Sequence, residues 1–355
     1  MAEVINKLAE LRKRAGFSAA RLAEEAGVTR QAIYAIEAGT YMPNTSVSLL
    51  IARALYVTVD DIFRLEPAPP TKVEIAICET DVAAGTAVQV AAVEGKLVAV
   101  RPSPAEFYLP ASDAVVESAR AGRAKVRLHR PDPDLENRLV IAGCDPSASL
   151  LARYLQGAGV DAVLVHRNST ESLELLKEKR VHVAGNHLQS SSKSVIVRDA
   201  AILGFVTWRE GLVVARGNPK RIKSGEDLAR KNVRFVNREK GAGTRALLDR
   251  NLQKVHLEPK QLRGYDSEAR GHMAAARKVA AGQADCCVAT EAAARAFGLT
   301  FVPLATARYD FFLRGSYLDL PGVRTLLDTI TRADFRRELT AIAGYDTTIT
   351  GTRLQ

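Results

Sequence analysis

Over the first sixty residues, hydrophobic positions recur every three to four residues between short polar corners, a period that predicts a run of short helices. From Phe17 to Glu37, Ala19, Leu22, Ala23 and Ala26 fall on one helical face, and after Gly27 a second face carries Ala32, Ile33 and Ile36. Ser18 and Thr29 stand just ahead of these faces, where a hydroxyl oxygen caps a first turn, and Gly27 supplies the flexible corner. Two further apolar segments, 49–55 and 57–63, continue the helical pattern. Pro67, Pro69 and Pro70 end it and mark a domain boundary.

Beyond that boundary the period changes twice. From Thr71 to Arg130 the segments are short and alternating (Val73–Ile77, Ala87–Val90, Lys96–Val100 and Ala124–Leu128), which predicts a small β-rich connector. In its last strand Lys125, Arg127 and His129 share one face, expected to be solvated. After Pro131-Asp-Pro133, buried strands at 139–144, 160–165 and 181–184 alternate with amphipathic helices at 146–157 and 170–179. An apolar stretch from Ala201 to Ala215, interrupted by Trp208-Arg-Glu-Gly, leads into a second alternation. It comprises a strand at 233–237, helices at 244–252 and 268–281, a strand at 286–289 and a helix at 291–297. A return stretch from Phe301 to Leu313 and helices near 320–331 and 333–342 close the chain. The first alternation predicts an α/β domain with a mainly parallel sheet, and the whole pattern two α/β lobes joined by two crossing strands in a periplasmic-binding-protein-like arrangement. Ligands in such folds sit between the lobes, outside the carboxyl ends of strands. The expectation is a multidomain chain: an all-α helix-turn-helix over 1–66, a β-rich connector over 71–130 and a two-lobed α/β domain over 139–355.

Charge alters this picture only locally. The 355 residues carry a formal charge of +10, yet residues 1–66 hold eight Lys/Arg and eight Asp/Glu. An expectation of DNA binding therefore rests on where particular side chains stand, not on bulk charge. No apolar run reaches the ~18 residues a membrane span needs, and the first residues do not read as a signal peptide, so a cytoplasmic protein with no membrane partner is expected. Cys78, Cys144, Cys286 and Cys287 form no C-x-x-C pair and are expected to be reduced core thiols.

The first candidate site follows from the helical faces. With the apolar residues buried, Thr29, Arg30, Gln31 and Tyr34 point outward from the start of the second helix. Arg pairs with guanine, Gln with adenine, and hydroxyls donate to phosphate oxygens. The segment resembles the XRE (Cro and phage-repressor) helix-turn-helix family, with downstream matches at Ala38–Asn44, Leu49–Leu55 and Val57–Phe63. The resemblance implies a double-stranded DNA operator read by a homodimer, with Ser18, Thr29, Arg30, Gln31, Tyr34, Tyr41 and Asn44 at the interface. Where that family usually has Gln after the capping Ser, this chain has Ala19. Phosphate anchoring is accordingly expected to fall more on Tyr41, Asn44, Arg30 and the Arg12–Arg14 cluster.

The second candidate site is a pair of strand-to-helix loops rich in small donors: Asn168-Ser169-Thr170 in one lobe and Lys240-Gly241-Ala242-Gly243-Thr244-Arg245 in the other. Helix N-termini offer unpaired N–H groups and a partial positive charge, so the two loops are expected to act as a split anion clamp. Arg245 either adds charge or pairs with Asp249 one turn on. Tyr265, Asp285 and Tyr309-Asp310 are further candidates for the cleft lining, with a local capping role as the alternative for Asp285. For His182 and His187 a structural role is expected, because no further metal ligands accompany them. No nucleophile, base and orienting acid stand at motif spacing, so neither an enzyme nor a cofactor is expected.

Residues 139–346 resemble the periplasmic-binding-protein-like domain found behind XRE modules and in some molybdopterin-biosynthesis proteins. The similarity runs through Gly143-Cys-Asp-Pro, Val181–Leu188, Trp208–Val214, Gly217-Asn-Pro, Phe235–Asp249, Gly264-Tyr, Gly282-Gln-Ala-Asp and Gly344-Tyr-Asp. It implies molybdate or tungstate as the effector. These oxyanions are fully deprotonated near neutral pH, so a site made only of donors favours them over protonated phosphate. The family more often has a Gly-Ser-Ser-like turn where this chain has Arg167-Asn168-Ser169-Thr170. The alternatives are a regulator that senses a small organic anion, and a molybdenum-cofactor biosynthesis or delivery protein.

Overall fold

The computed structural model describes residues 4–65, 72–78, 82–102, 111–130, 135, 137–187, 197 and 199–354. The proline-rich boundaries at 67–70 and 131–133 lie outside them. The chain divides into two units, 1–71 and 72–355.

In the first unit, β1 (Val4–Asn6) and β2 (Phe63–Leu65) pair antiparallel and join the two ends of a helical set. The set is α1 (Leu8–Arg14), α2 (Ala19–Glu25), α3 (Arg30–Glu37), α4 (Thr45–Ala54) and α5 (Val59–Ile62). The helices start where the caps demand. Ser18 Oγ accepts from Arg21 N at 3.1 Å, Thr29 Oγ1 from Ala32 N at 3.1 Å and Asn44 Oδ1 from Val47 N at 2.9 Å, while Thr58 and Asp61 form a capping box. Leu8, Leu22, Ile33, Ile36, Ile51 and Ile62 are fully buried between them.

The second unit begins with a closed five-stranded barrel: β3 (Lys72–Ile77), β4 (Ala87–Val93), β5 (Lys96–Val100), β6 (Ala114–Arg120) and β7 (Arg123–Leu128), in the order β3-β5-β4-β6-β7. Closure pairs every strand and removes the exposed edges a small sheet would otherwise carry. Arg127 and Lys125 point outward from β7, as their alternation requires. The barrel is tied to the α/β domain through polar contacts. Arg138 reaches Asp113 at 2.6 Å and the Val90 carbonyl at 2.7 Å, Arg180 donates to the Ile77 carbonyl at 2.8 Å, and Lys179 meets Glu94 at 2.6 Å.

The α/β domain is built on one seven-stranded sheet. Its elements are β8 (Arg138–Gly143), α6 (Ala148–Gly157), β9 (Asp161–His166), α7 (Ser169–Lys177), β10 (Val183–His187), β11 (Ala200–Val214), β12 (Asn237–Arg238), α8 (Gly243–Lys254), β13 (Glu268–Ala269), α9 (His272–Ala280), β14 (Cys286–Thr290), α10 (Glu291–Ala296), β15 (Thr300–Arg314), α11 (Pro321–Thr331), α12 (Ala333–Thr340) and β16 (Tyr345–Asp346). The sheet runs β14-β11-β15-β10-β8-β9, with β16 on β11. β8, β9 and β10 are parallel neighbours, whereas β11 and β15 pair antiparallel along their length as the two crossing strands.

Three expectations need correction. The sheet is not mainly parallel: β10–β15, β11–β15, β11–β14 and β11–β16 all pair antiparallel, because the two crossing strands run through its middle and reverse direction there. Trp208-Arg-Glu-Gly does not interrupt the first crossing strand; β11 runs through it and absorbs the change as a register shift between Glu210 and Gly211. Only glycine fits there, since a Cβ on Gly211 would lie 2.1 Å from the Val302 carbonyl oxygen. The strand expected at 233–237 is reduced to β12 and a single bridge from Phe235 to Cys286, its edge being occupied by the parallel partner β13.

Candidate functional site: an exposed helix and a buried cleft

On the first unit, Thr29, Arg30, Gln31 and Tyr34 are all exposed on α3 and its cap, and Tyr41 and Asn44 are exposed on the following turn. Arg30 lies over the Tyr34 ring and donates to its hydroxyl at 3.0 Å, so the two side chains present one organised polar edge. Ser18, Thr29 and Asn44 each spend an oxygen lone pair on a helix cap. Arg12 does not belong with the candidate phosphate grips. Its guanidinium is held by Glu37 at 2.5 and 3.0 Å and by the Phe17 carbonyl at 3.0 Å, while Lys13 and Arg14 stay exposed.

In the second unit, four strand-to-helix turns converge: Gly143–Ser147 before α6, Arg167–Asn168 before α7, Glu239–Ala242 before α8 and Arg270–Gly271 before α9. The two loops expected to form the clamp meet each other. Asn168 Nδ2 donates to the Lys240 carbonyl at 3.3 Å and Thr170 Oγ1 to the Gly241 carbonyl at 3.5 Å. Asn168 also caps α7 through Glu171 N, and the buried Ser169 hydroxyl accepts from His187 N at 3.2 Å. Ala242, Gly243 and Thr244 begin α8, which has no side-chain cap; Thr244 Oγ1 accepts from Arg238 at 3.3 Å.

The remaining candidates are occupied by neighbours. Arg245 does not pair with Asp249; it bonds Glu268 at 2.5 Å and the Arg238 carbonyl at 2.9 Å, because Asp249 instead accepts from the Tyr265 hydroxyl at 2.7 Å. Asp285 is held by Arg234 and Lys220, whose hydrogen bonds pull its carboxyl far below the usual range against the effect of burial. Asp310 pairs with Arg308 at 2.9 Å. A cavity of about 680 Å³ opens beside these loops, but its wall comes from other residues, among them Cys144, Asp145, His166, Arg270, His272 and Tyr309.

Behind the cavity wall lies a buried cluster that spacing along the chain did not disclose. Cys144 follows β8, His187 ends β10 and His272 opens α9. Cys144 Sγ is 3.6 Å from His187 Nε2 and 3.9 Å from His272 Nε2. His187 Nδ1 faces Glu210 Oε1 at 3.4 Å, and the Trp208 indole donates to the same oxygen at 3.0 Å. Tyr309 closes one side, accepting from Cys144 N at 3.2 Å. It lies so near Gly185 that a Cβ there would sit 1.9 Å from its hydroxyl. Burial pushes the Cys144 thiol up to about 12 and the Glu210 carboxyl up to about 7. Burial, with the Arg238 charge, pulls His187 down to about 3. Arg238, itself buried, is matched by Glu239 at 2.9 and 3.0 Å. Cys144 and His187 fall within the segments Gly143-Cys-Asp-Pro and Val181–Leu188 singled out in the sequence, but nothing there pointed to His272.

Among the described residues no helix is long and apolar enough to cross a membrane. A family described as helix-turn-helix matches residues 8–62, and one described as PBP superfamily domain matches 152–331. The chain is 30% identical over 243 residues to the uncharacterized protein YvgK of Bacillus subtilis (strain 168), covering 65% of this chain and 78% of that protein. It is 46% identical over 61 residues to the HTH-type transcriptional regulator YgzD of the same organism, covering 17% of this chain and 92% of YgzD. Among solved structures it is similar to a phosphate ABC transporter substrate-binding protein from Clostridium perfringens, with TM-score 0.45 and 10% identity, over 62% of this chain and all of that one. The chain belongs to the PBP superfamily-domain family and carries a helix-turn-helix domain ahead of that domain.

Proposed function

We propose that this protein is a ligand-responsive transcriptional regulator: the helix-turn-helix binds operator DNA as a homodimer, and the two-lobed domain senses a small oxyanion, molybdate or tungstate. The observation that carries the reading is the union of an exposed Thr29-Arg30-Gln31-Tyr34 edge with a cleft whose two loops touch through Asn168–Lys240 and Thr170–Gly241. A ligand that draws the two loops together binds the closed arrangement more tightly, and that difference in affinity is what shifts the regulator between states. Backbone N–H groups at the uncapped start of α8 and the Ser169 hydroxyl supply donors of the kind an oxyanion needs.

The size of the cavity favours a second ligand class. About 680 Å³ is far more than a tetrahedral oxyanion fills and falls within the range of small-molecule pockets. With Arg270 and Arg277 on its wall it suits a small organic anion. Calorimetric titration with molybdate, tungstate, sulfate, phosphate and a panel of small carboxylates separates the two. Micromolar binding of molybdate or tungstate, weakened by Ser169→Ala with Thr170→Ala, supports the first reading. Binding of a carboxylate alone, weakened by Arg270→Ala, moves the effector into the cavity.

A further inference from the structure

We propose that Cys144, His187 and His272 form a binding site for one thiophilic transition-metal ion of the Zn2+ class, with a fourth position open to the cavity. This goes beyond the regulatory reading and is independent of which anion the cleft takes.

Geometry is the first argument. The three ligand atoms lie within 4.8 Å of one another. A tetrahedral ion with bonds of about 2.3 Å to sulfur and about 2.0 Å to nitrogen sets sulfur and nitrogen roughly 3.5 Å apart. The observed separations of 3.6 and 3.9 Å both exceed this, by about 0.1 and 0.4 Å, so the side chains must close in slightly to complete the coordination.

Orientation is the second. The His187 Nδ1 and Glu210 pair, with Trp208 donating to the same carboxylate oxygen, is the carboxylate-histidine arrangement that turns the other ring nitrogen toward a metal. His272 is the complementary case. It is 1% exposed, and among the described residues its Nδ1 is one of two buried side-chain atoms without a hydrogen-bond partner. Its other ring nitrogen, Nε2, 3.9 Å from Cys144 Sγ, is the atom that faces the proposed ion.

Charge is the third. The Cys144 proton leaves to solvent as the ion binds. The resulting thiolate offsets part of the charge of a divalent cation, while Arg238 is already matched by Glu239. The thiolate and two imidazoles form a donor set suited to Zn2+ and its neighbours rather than to hard cations. Because Cys144 and His272 line the cavity and His187 lies behind them, the fourth coordination position faces the cavity.

The test uses the reduced full-length chain, titrated anaerobically with Zn2+ against a chromophoric chelator and with Co2+ as a spectroscopic probe. One ion per chain is expected, with a sulfur-to-cobalt charge-transfer band that Cys144→Ser abolishes and Cys78→Ser retains. His272→Ala should weaken Zn2+ at least 100-fold. Glu210→Gln, a change at a positioning residue, should weaken it about tenfold. A band that survives Cys144→Ser, or no thiolate band in the parent protein, overturns the proposal. If Cys144→Ser fails to fold, X-ray absorption on the zinc-loaded parent decides. One sulfur and two imidazoles per zinc is expected, and a first shell without sulfur, or with two, overturns it.

Discussion

Arg12 on α1 and Glu37 at the end of α3 are joined by two parallel hydrogen bonds of 2.5 and 3.0 Å, with side chains only 11% and 10% exposed. The pair spans the helix-turn-helix from outside, and Arg12 also donates to the Phe17 carbonyl in the turn before α2. It therefore fixes α3 relative to α1. The Glu37 hydrogen bond is the main reason the guanidinium is held even further into its charged range than usual.

Removing either partner leaves a shielded charge unmatched. Arg12→Met or Glu37→Leu is expected to destabilise the first unit by about 2 kcal/mol, between the values typical of surface and buried pairs. Urea denaturation followed by far-ultraviolet circular dichroism reads this loss. Fluorescence of Trp208, the only tryptophan, reports the second unit and should keep its midpoint. A loss below about 0.5 kcal/mol would class the contact with ordinary surface bridges.

Arg30 and Gln31 are expected to read base edges. Replacing either by Ala should cost about 1–3 kcal/mol on the preferred operator and relax sequence preference at one position. Because the Tyr34 hydroxyl holds the Arg30 guanidinium at 3.0 Å, Tyr34→Phe should produce a weaker version of the Arg30→Ala pattern. Binding to a set of single-base operator variants checks this. An equal loss on every sequence would recast these side chains as phosphate grips.

His182 sets a pH limit on stability. Its Nδ1 accepts from Val140 N at 3.0 Å, and burial lowers its pKa from 6.5 to about 4. The unfolded chain takes up the proton as pH falls below 6.5, while the folded chain resists until about 4. Stability from this group is thus complete above pH 6.5 and lost progressively between 6.5 and 4, about 3 kcal/mol in all. His182→Asn, which keeps an acceptor near Val140 N but does not titrate, should flatten the stability profile in that window by this amount. Parallel profiles for parent and variant would show that His182 contributes no such dependence.

The helix-turn-helix was legible because its signals are local. Ser18 and Thr29 stand one residue ahead of the helices they cap, and Leu22, Ile33 and Ile36 fall on the faces their spacing assigns, whereas the cap at Asn44 was not read. β6 was missed for an equally local reason: a register shift between Val116 and Ser118 breaks its alternation, and its last three residues are exposed. Arg12 was misassigned because a basic cluster on a helix reads the same whether it faces solvent or a carboxylate twenty-five residues away. Arg245 shows the same limit, since its i+4 carboxylate was visible in the sequence while Glu268 and the Tyr265 hydroxyl that claims Asp249 were not.

From the sequence alone came the order of helical, β-rich and α/β segments, the polar edge of α3 and the two crossing strands, because periodicity, caps and glycine corners act over a few residues. Only the tertiary structure decided that Cys144, His187 and His272 meet. β8 and β10 are adjacent parallel strands whose ends share one edge, and the start of α9 reaches that edge. Sheet order and this contact bring together residues that stand 43 and 85 positions apart, and no local pattern in a sequence encodes such a meeting.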